Sequence, residues 1–223
     1  MIKHLRSEAR FIEYSLDAVL DYFAQFGNTL ICQEVGVGNS IADLVGLIVE
    51  GNSLPDFEKS YTITESIVLA HLRNFGATRI DLLEKRCGVK SGVFRNDALS
   101  WLEEIGAISF GAGGQISLHD GYLFPRTIVA IEAKLQRWRD ALDQAIAYQQ
   151  YADESYVLLP SEFANAALSN LDKFRKSGIG LLVFEKGSGI QVHTQAEVMH
   201  NHGWRRDYVF SALVSQSESP EWS

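Results

Sequence analysis

In TIVAIEAKL, Thr127–Leu135, an acid and a base stand two residues apart inside an otherwise apolar run. Alternation along a strand places Ile128, Ala130, Glu132 and Lys134 on one face and Val129, Ile131, Ala133 and Leu135 on the other. A strand apolar on both faces is interior, and burying either charge there alone is expensive, so a partner or an ion is expected. An E-x-K triplet by itself occurs about once by chance in a chain of this size. Its surroundings make this one informative. SIADLVGLIV is a second interior-looking strand with one acid, Asp43, and RDALDQAIAYQQYA sets Gln144 and Tyr148 four residues apart, on one helical face.

The elements that must hold these residues can be read from periodicity and turn chemistry. Glu8–Phe26 carries Ile12, Leu16, Val19, Phe23 and Phe26, the stripe of an amphipathic helix. Thr29–Val35 and Ile41–Glu50 flank the turn GVGNS (Gly36–Ser40) and form a β-hairpin, after which GNSLPDFEKS (Gly51–Ser60) reads as a linker. Next come TESIVLAHLRNFG, with Thr64 as N-cap and Gly76 as stop, and a helical stretch with apolar Ile80, Leu82, Leu83, Val89, Phe94, Leu99 and Leu102. ISFGAGGQISLH reads as two short strands around a Gly-rich tip. Beyond Thr127–Leu135 the pattern predicts a helix from Arg137 to about Ala152, a strand at Tyr156–Leu159 and a helix over Glu162–Lys176. Strands at Gly180–Glu185 and Gly189–His193 complete the block. The simplest organisation is one α/β domain, 1–59 and 123–214, split by an inserted domain at 60–122, with a disordered tail at 215–223.

Helix, hairpin with Asp43, strand with Glu132-x-Lys134 and helix with Gln144-x-x-x-Tyr148 together resemble the PD-(D/E)XK nuclease superfamily. The resemblance covers Glu8–Glu50 and Thr127–His193 and implies the restriction-endonuclease-like fold, a mixed central sheet flanked by helices. Ala42 stands where the motif's proline would be, and Asp43 and Glu132 are separated by 89 positions, too many for a hairpin connection. The inserted domain accounts for that gap. By this resemblance the chain is a metal-dependent DNA endonuclease, with Mg²⁺ as cofactor and Mn²⁺ as its substitute. A hard divalent cation prefers oxygen ligands, which Asp43, Glu132 and the Ala133 carbonyl would supply. Lys134 would orient the attacking water or stabilise charge developing on phosphate. Gln144 would lie near the site and help position Lys134, water or the DNA backbone. Glu34, in the strand paired with that of Asp43, and Glu13, bordering the first helical stripe, are the candidates for an additional acid. Glu13 reads as the more plainly solvated of the two.

From Thr62 to His119 the order of helix, helix, turn, helix and hairpin resembles a winged helix-turn-helix. Its second motif helix would begin near Lys90 or Ser91 and run to about Ile105, with Lys90, Ser91, Arg95 and Asn96 at base edges. Phe94, Leu99 and Leu102 are needed for packing. Arg79, Lys85 and Arg86 could reach phosphates, and Gly111–Gln115 would be the wing tip. Acids at Asp81, Glu84, Asp97, Glu103 and Glu104 dilute this basic face, and winged helices also serve as protein-docking modules.

Twenty Lys and Arg against 28 Asp and Glu give a net charge of −8. Such a chain cannot coat nucleic acid or an anionic membrane with its whole surface, so DNA binding must come from a local basic patch. No apolar run is long enough to span a bilayer, and two distant cysteines, Cys32 and Cys87, make no disulfide framework. The expectation is a soluble, reduced, cytoplasmic protein whose partner is DNA, with no membrane and with a homodimer admitted by the resemblance. Restriction or defence against foreign DNA suits a compact nuclease with its own DNA-reading insert. The alternative is a non-catalytic DNA-binding or assembly protein that keeps the fold as scaffold.

Overall fold

Ser7 starts the first helix by accepting the Arg10 N–H on its hydroxyl, and α1 spans Glu8–Phe23. The computed structural model describes residues 7–37, 40–49, 60–88, 92–119, 126–200 and 203–216. The α1 stripe buries Phe11, Ile12, Val19 and Phe23, but Phe26 sits in a 3₁₀ turn, Ala24–Phe26, and is exposed. The helix is stopped by Gly27, where a Cβ would fall 2.8 Å from the Val49 carbonyl oxygen at a positive φ that glycine tolerates. β1 (Asn28–Val37) and β2 (Ser40–Val49) then pair antiparallel.

The next stretch belongs to a separate unit made of residues 60–119 and 203–216. Its first helix, α2 (Ile63–Phe75), is capped by Thr62 rather than Thr64, because only Thr62 has a glutamate three residues on to close a capping box. Gly76 ends α2 as expected. A two-residue strand, β3 (Thr78–Arg79), leads into α3 (Ile80–Cys87). A π-helical turn, Val93–Leu99, runs into α4 (Ser100–Glu104), and Phe94, Leu99 and Leu102 are buried along it. β4 (Ile108–Gly111) and β5 (Gln115–Leu118) join β3 in a three-stranded antiparallel sheet of order β3-β5-β4.

The chain returns to the first unit with β6 (Arg126–Ala133) and α5 (Trp138–Tyr148). After these come β7 (Glu154–Pro160), α6 (Asn165–Leu168), α7 (Leu171–Ser177), β8 (Gly180–Glu185) and β9 (Gly189–Thr194). The single helix expected over Glu162–Lys176 is broken: Ser169 and Asn170 turn their side chains back onto the carbonyls of Asn165 and Ala166. The six strands lie in the order β1-β2-β6-β7-β8-β9, with β6, β7 and β8 mutually parallel and the other pairs antiparallel. This unit is therefore mixed α/β, a central sheet with helices on both faces. α1 packs on the face carrying Leu44, Val129, Ile131, Leu158 and Leu182. α5, α6 and α7 pack on the face carrying Val157, Leu159, Leu181 and Val183. Gly180 leaves room for Tyr156, whose ring would lie 2.1 Å from a Cβ there.

The last helix, α8 (Trp204–Gln216), corrects the expected domain boundary at 214, because it belongs to the second unit and packs on α2. Val209, Phe210 and Leu213 are fully buried, and Ser211 accepts the Tyr61 N–H at 2.8 Å. Ser215 and Gln216 are helical, so that much of the expected tail is ordered, and 217–223 lie outside the described residues. Among the described residues no helix is long and apolar enough to cross a membrane. Arg73 of α2 forms an ion pair with fully buried Asp207 of α8. Removing one partner of a buried pair strands the other charge. Arg73→Leu is therefore expected to lower unfolding stability by about 3 kcal/mol, read as a fall in the urea midpoint. An unchanged midpoint would mean α8 is not anchored by this pair.

Candidate active site

Strand register, not sequence proximity, brings the acids together. β2 and β6 pair antiparallel with Leu44 opposite Ile131. One step further along the same register, Asp43 stands opposite Glu132, and directly opposed residues share a face. The backbone pairing gives way there to a side chain: Ala133 N–H donates to Asp43 Oδ2 at 2.8 Å. Two like charges in this position repel, so a cation must be close.

Lys134 is that cation. Its Nζ lies 2.6 Å from Glu132 Oε1 and 3.3 Å from Glu8 Oε2, at the start of α1. Glu132 is 1% exposed, so its carboxylate is satisfied by protein alone. Oε2 takes a hydrogen bond from Tyr148 Oη at the end of α5. The same hydroxyl lies 2.8 Å from the Ile41 carbonyl, and its single proton serves one acceptor at a time. The ring of Tyr151 backs Tyr148 at 5.9 Å, with its own hydroxyl buried.

Burial pushes the carboxyls of both Asp43 and Glu132 above the ordinary carboxylate range. For Asp43 the Ala133 N–H and Lys134 oppose that rise, while Glu8 and Glu34 add to it. For Glu132 the hydrogen bonds from Lys134 and Tyr148 oppose it and the Asp43 charge adds to it. Burial alone would lower the Lys134 ammonium, but Glu132, Asp43 and Glu8 outweigh burial and hold it above the usual lysine range. Burial and then Glu132 push the Tyr148 phenol far up, so it stays a donor.

Asp43, Glu132, Ala133 and Lys134 thus come together. Gln144 does not join them: it is exposed and its side chain makes no hydrogen bond among the described residues. One helical turn on, Tyr148 makes the contact to Glu132 instead, because α5 buries that position against the sheet. Glu13 is exposed, and the acid that α1 contributes is Glu8. Glu8 lies in the first turn, three and four residues before Phe11 and Ile12 and so on the same helical face, and that spacing is the signal that marks it over Glu13. Glu34 lies in β1 between the pairs Gln33–Leu44 and Val35–Ala42, hence opposite Asp43, but at φ 55° and exposed. In the second unit Arg79 is paired with Asp81 at 3.0 Å. Lys85 and Arg86 are exposed, whereas Lys90, Ser91 and the side chains of Arg95 and Asn96 lie outside the described residues.

The donor set fits a hard divalent cation in chemical type: two carboxylates in apolar strands, both raised by burial, with the Asp43 charge adding to the rise at Glu132. Among the described residues no group of three or more His, Cys, Asp and Glu is arranged to hold a metal, so any such ion would lean on Asp43, Glu132, the Ala133 carbonyl and water. Compared with family models, with curated proteins and with solved structures, the chain matches none.

This geometry has two measurable outcomes. A carboxyl whose folded pKa is raised weakens the fold as pH rises through that value. Asp43→Asn, whose amide oxygen can still accept the Ala133 N–H, is expected to raise the melting temperature by a few degrees in EDTA at neutral pH. A drop would show that the ionised carboxylate is stabilising. Tyr148→Phe leaves a buried carboxylate oxygen without its donor and should cost roughly 1–3 kcal/mol in urea unfolding. No change would remove Tyr148 as the group that holds Glu132.

Proposed function

We propose that the chain is a divalent-metal-dependent nuclease of the PD-(D/E)XK kind that cuts phosphodiester bonds in DNA. The observation that carries this reading is the pairing of Asp43 with Glu132 across adjacent strands, with the Lys134 ammonium 2.6 Å from Glu132. The order of elements supports it: a helix, an antiparallel hairpin, the strand bearing the acid and lysine, a crossover helix and a parallel strand. In the second unit, the order α2, β3, α3, α4, β4, β5, with a three-stranded sheet, supports the reading of an inserted winged helix. That unit would select or orient DNA, in restriction or defence.

Asp43, Glu132 and the Ala133 carbonyl would hold Mg²⁺ or Mn²⁺, which supplies Lewis-acid polarisation of phosphate and a lowered pKa for water. The remaining work falls to the chain's own groups. The Ala133 N–H fixes Asp43 by one oxygen, and Oδ1 has no hydrogen-bond partner among the described residues. Tyr148 fixes Glu132 by Oε2. Lys134, whose ammonium stays charged at neutral pH, donates to water or to a phosphate oxygen as negative charge builds there. Glu8 is a second carboxylate on that ammonium, at 3.3 Å.

One observation favours a second reading. Both oxygens of Glu132 are already engaged, by Lys134 and Tyr148, which is also what a purely structural buried ion pair requires. A non-catalytic nucleic-acid-binding or assembly protein would keep the arrangement without a metal. Supercoiled plasmid incubated with Mg²⁺, Mn²⁺ or EDTA separates the two. Metal-dependent nicking or linearisation is expected, reduced at least about a hundredfold in Lys134→Ala. No cleavage, together with no Mn²⁺-induced rise in melting temperature, would move the chain to the scaffold reading.

A further inference from the structure

The second unit carries a surface hollow of about 410 Å³ lined by His71, Phe75 and Arg86. His71 and Phe75 lie one turn apart on α2, with ring centroids 4.7 Å apart and planes inclined at 35°. Arg86, in the last turn of α3, places Nη1 3.3 Å from His71 Nε2. A guanidinium only donates, so Nε2 accepts and the imidazole is neutral. Burial and the Arg86 charge both hold His71 below the usual histidine range, in keeping with that state.

Two features of the hollow bear on what it could hold. Phe75 is 70% exposed, more than any other large apolar side chain among the described residues. Arg86 has no carboxylate at ion-pair distance among the described residues, whereas its neighbour Arg79 is neutralised by Asp81. In a protein of net charge −8, an aromatic face and an uncompensated guanidinium in one concavity form a distinct local environment.

We propose that this hollow takes an unpaired base of a nucleic-acid strand, stacked on Phe75, with a neighbouring phosphate on Arg86. Every base has a π-face, so an aromatic platform binds unpaired strands with little sequence preference, and a guanidinium matches phosphate in geometry and charge. A base pair inside an intact duplex offers no such face. The apolar surface is a single ring beside a cation, far less than a stable protein interface buries. The substrate class is therefore a strand that is single, frayed or branched where it meets the second unit. This deepens the nuclease reading and rests on it for the cutting step, but binding itself requires no metal.

The test is fluorescence anisotropy of the full chain with labelled oligothymidine and with a blunt duplex of equal length, in EDTA and across a salt series. Phe75→Ala should weaken oligothymidine binding about tenfold or more, Phe75→Trp should retain it, and Phe75→Leu should lose it as Ala does. Arg86→Gln should weaken binding and reduce the salt slope by about one. Duplex affinity should be unchanged in the three Phe75 variants, whereas Arg86→Gln, which removes a phosphate contact, is read only on oligothymidine. The proposal is overturned if the wild type does not bind oligothymidine, if Phe75→Ala binds it as well as the wild type, or if Phe75→Leu substitutes for phenylalanine. Plasmid cleavage by the same variants keeps the two readings apart. An oligothymidine-binding protein that cuts nothing retains this site and loses the nuclease, and a nuclease indifferent to Phe75 does the reverse.

Discussion

A carboxylate buried at the end of a central strand is the constraint around which the first unit is arranged. Glu132 cannot remain there charged without partners, since desolvating an ion is among the most expensive events in folding. Its partners come from two directions. Lys134 lies two residues on, just past the end of the same strand, and Tyr148 comes down from the crossover helix. Each has a further neighbour, Lys134 the Glu8 carboxylate at the start of α1, and Tyr148 the Ile41 carbonyl at the start of β2, which competes with Glu132 for the one phenol proton. One buried oxygen pair thereby connects two helices on opposite faces of the sheet with the hairpin between them.

The same region shows how sheet pairing and site chemistry share groups. The β2–β6 pairing ends where the Asp43 side chain takes the Ala133 N–H in place of a strand carbonyl. At the other end of β6 a second aspartate does similar work. Asp153 accepts the Ile128 N–H at 2.7 Å and returns its own N–H to the Ile128 carbonyl at 2.8 Å. Carboxylates thus pin β6 near both of its ends, but among the described residues it is the Glu132 end where a lysine is held between two carboxylates. That asymmetry sets the Glu132 end apart from a merely structural use of aspartate.

Charge in the second unit is arranged on a different principle. Arg73 is spent inside, against Asp207, and Arg79 on the surface, against Asp81. With basic side chains neutralised in this way, the position of an unpaired guanidinium carries more information than the count of basic residues. Arg86 beside two aromatic rings is such a position.

The six strands of the first unit, the hairpin and the alternation that puts Glu132 and Lys134 on one face were determined by the sequence alone, because period-two burial is a local property of the backbone, whereas the two-residue β3 is too short to show a period. The Gly76 stop and the free cysteines were equally legible. Other features depended on groups distant in the chain. Asp43 meets Glu132 only because an antiparallel register aligns residues 89 positions apart, and register is set by whole faces packing, not by the neighbours of either acid. Glu8 rather than Glu13 faces Lys134 because the rotation of α1 is decided by the side chains it buries on the sheet. Tyr148 rather than Gln144 reaches Glu132 because α5 packs with that turn innermost. The sequence pattern predicts no element at Trp204–Gln216, and the helix there docks on α2 through residues more than a hundred positions apart. Local periodicity names the faces, and only tertiary packing decides which faces meet.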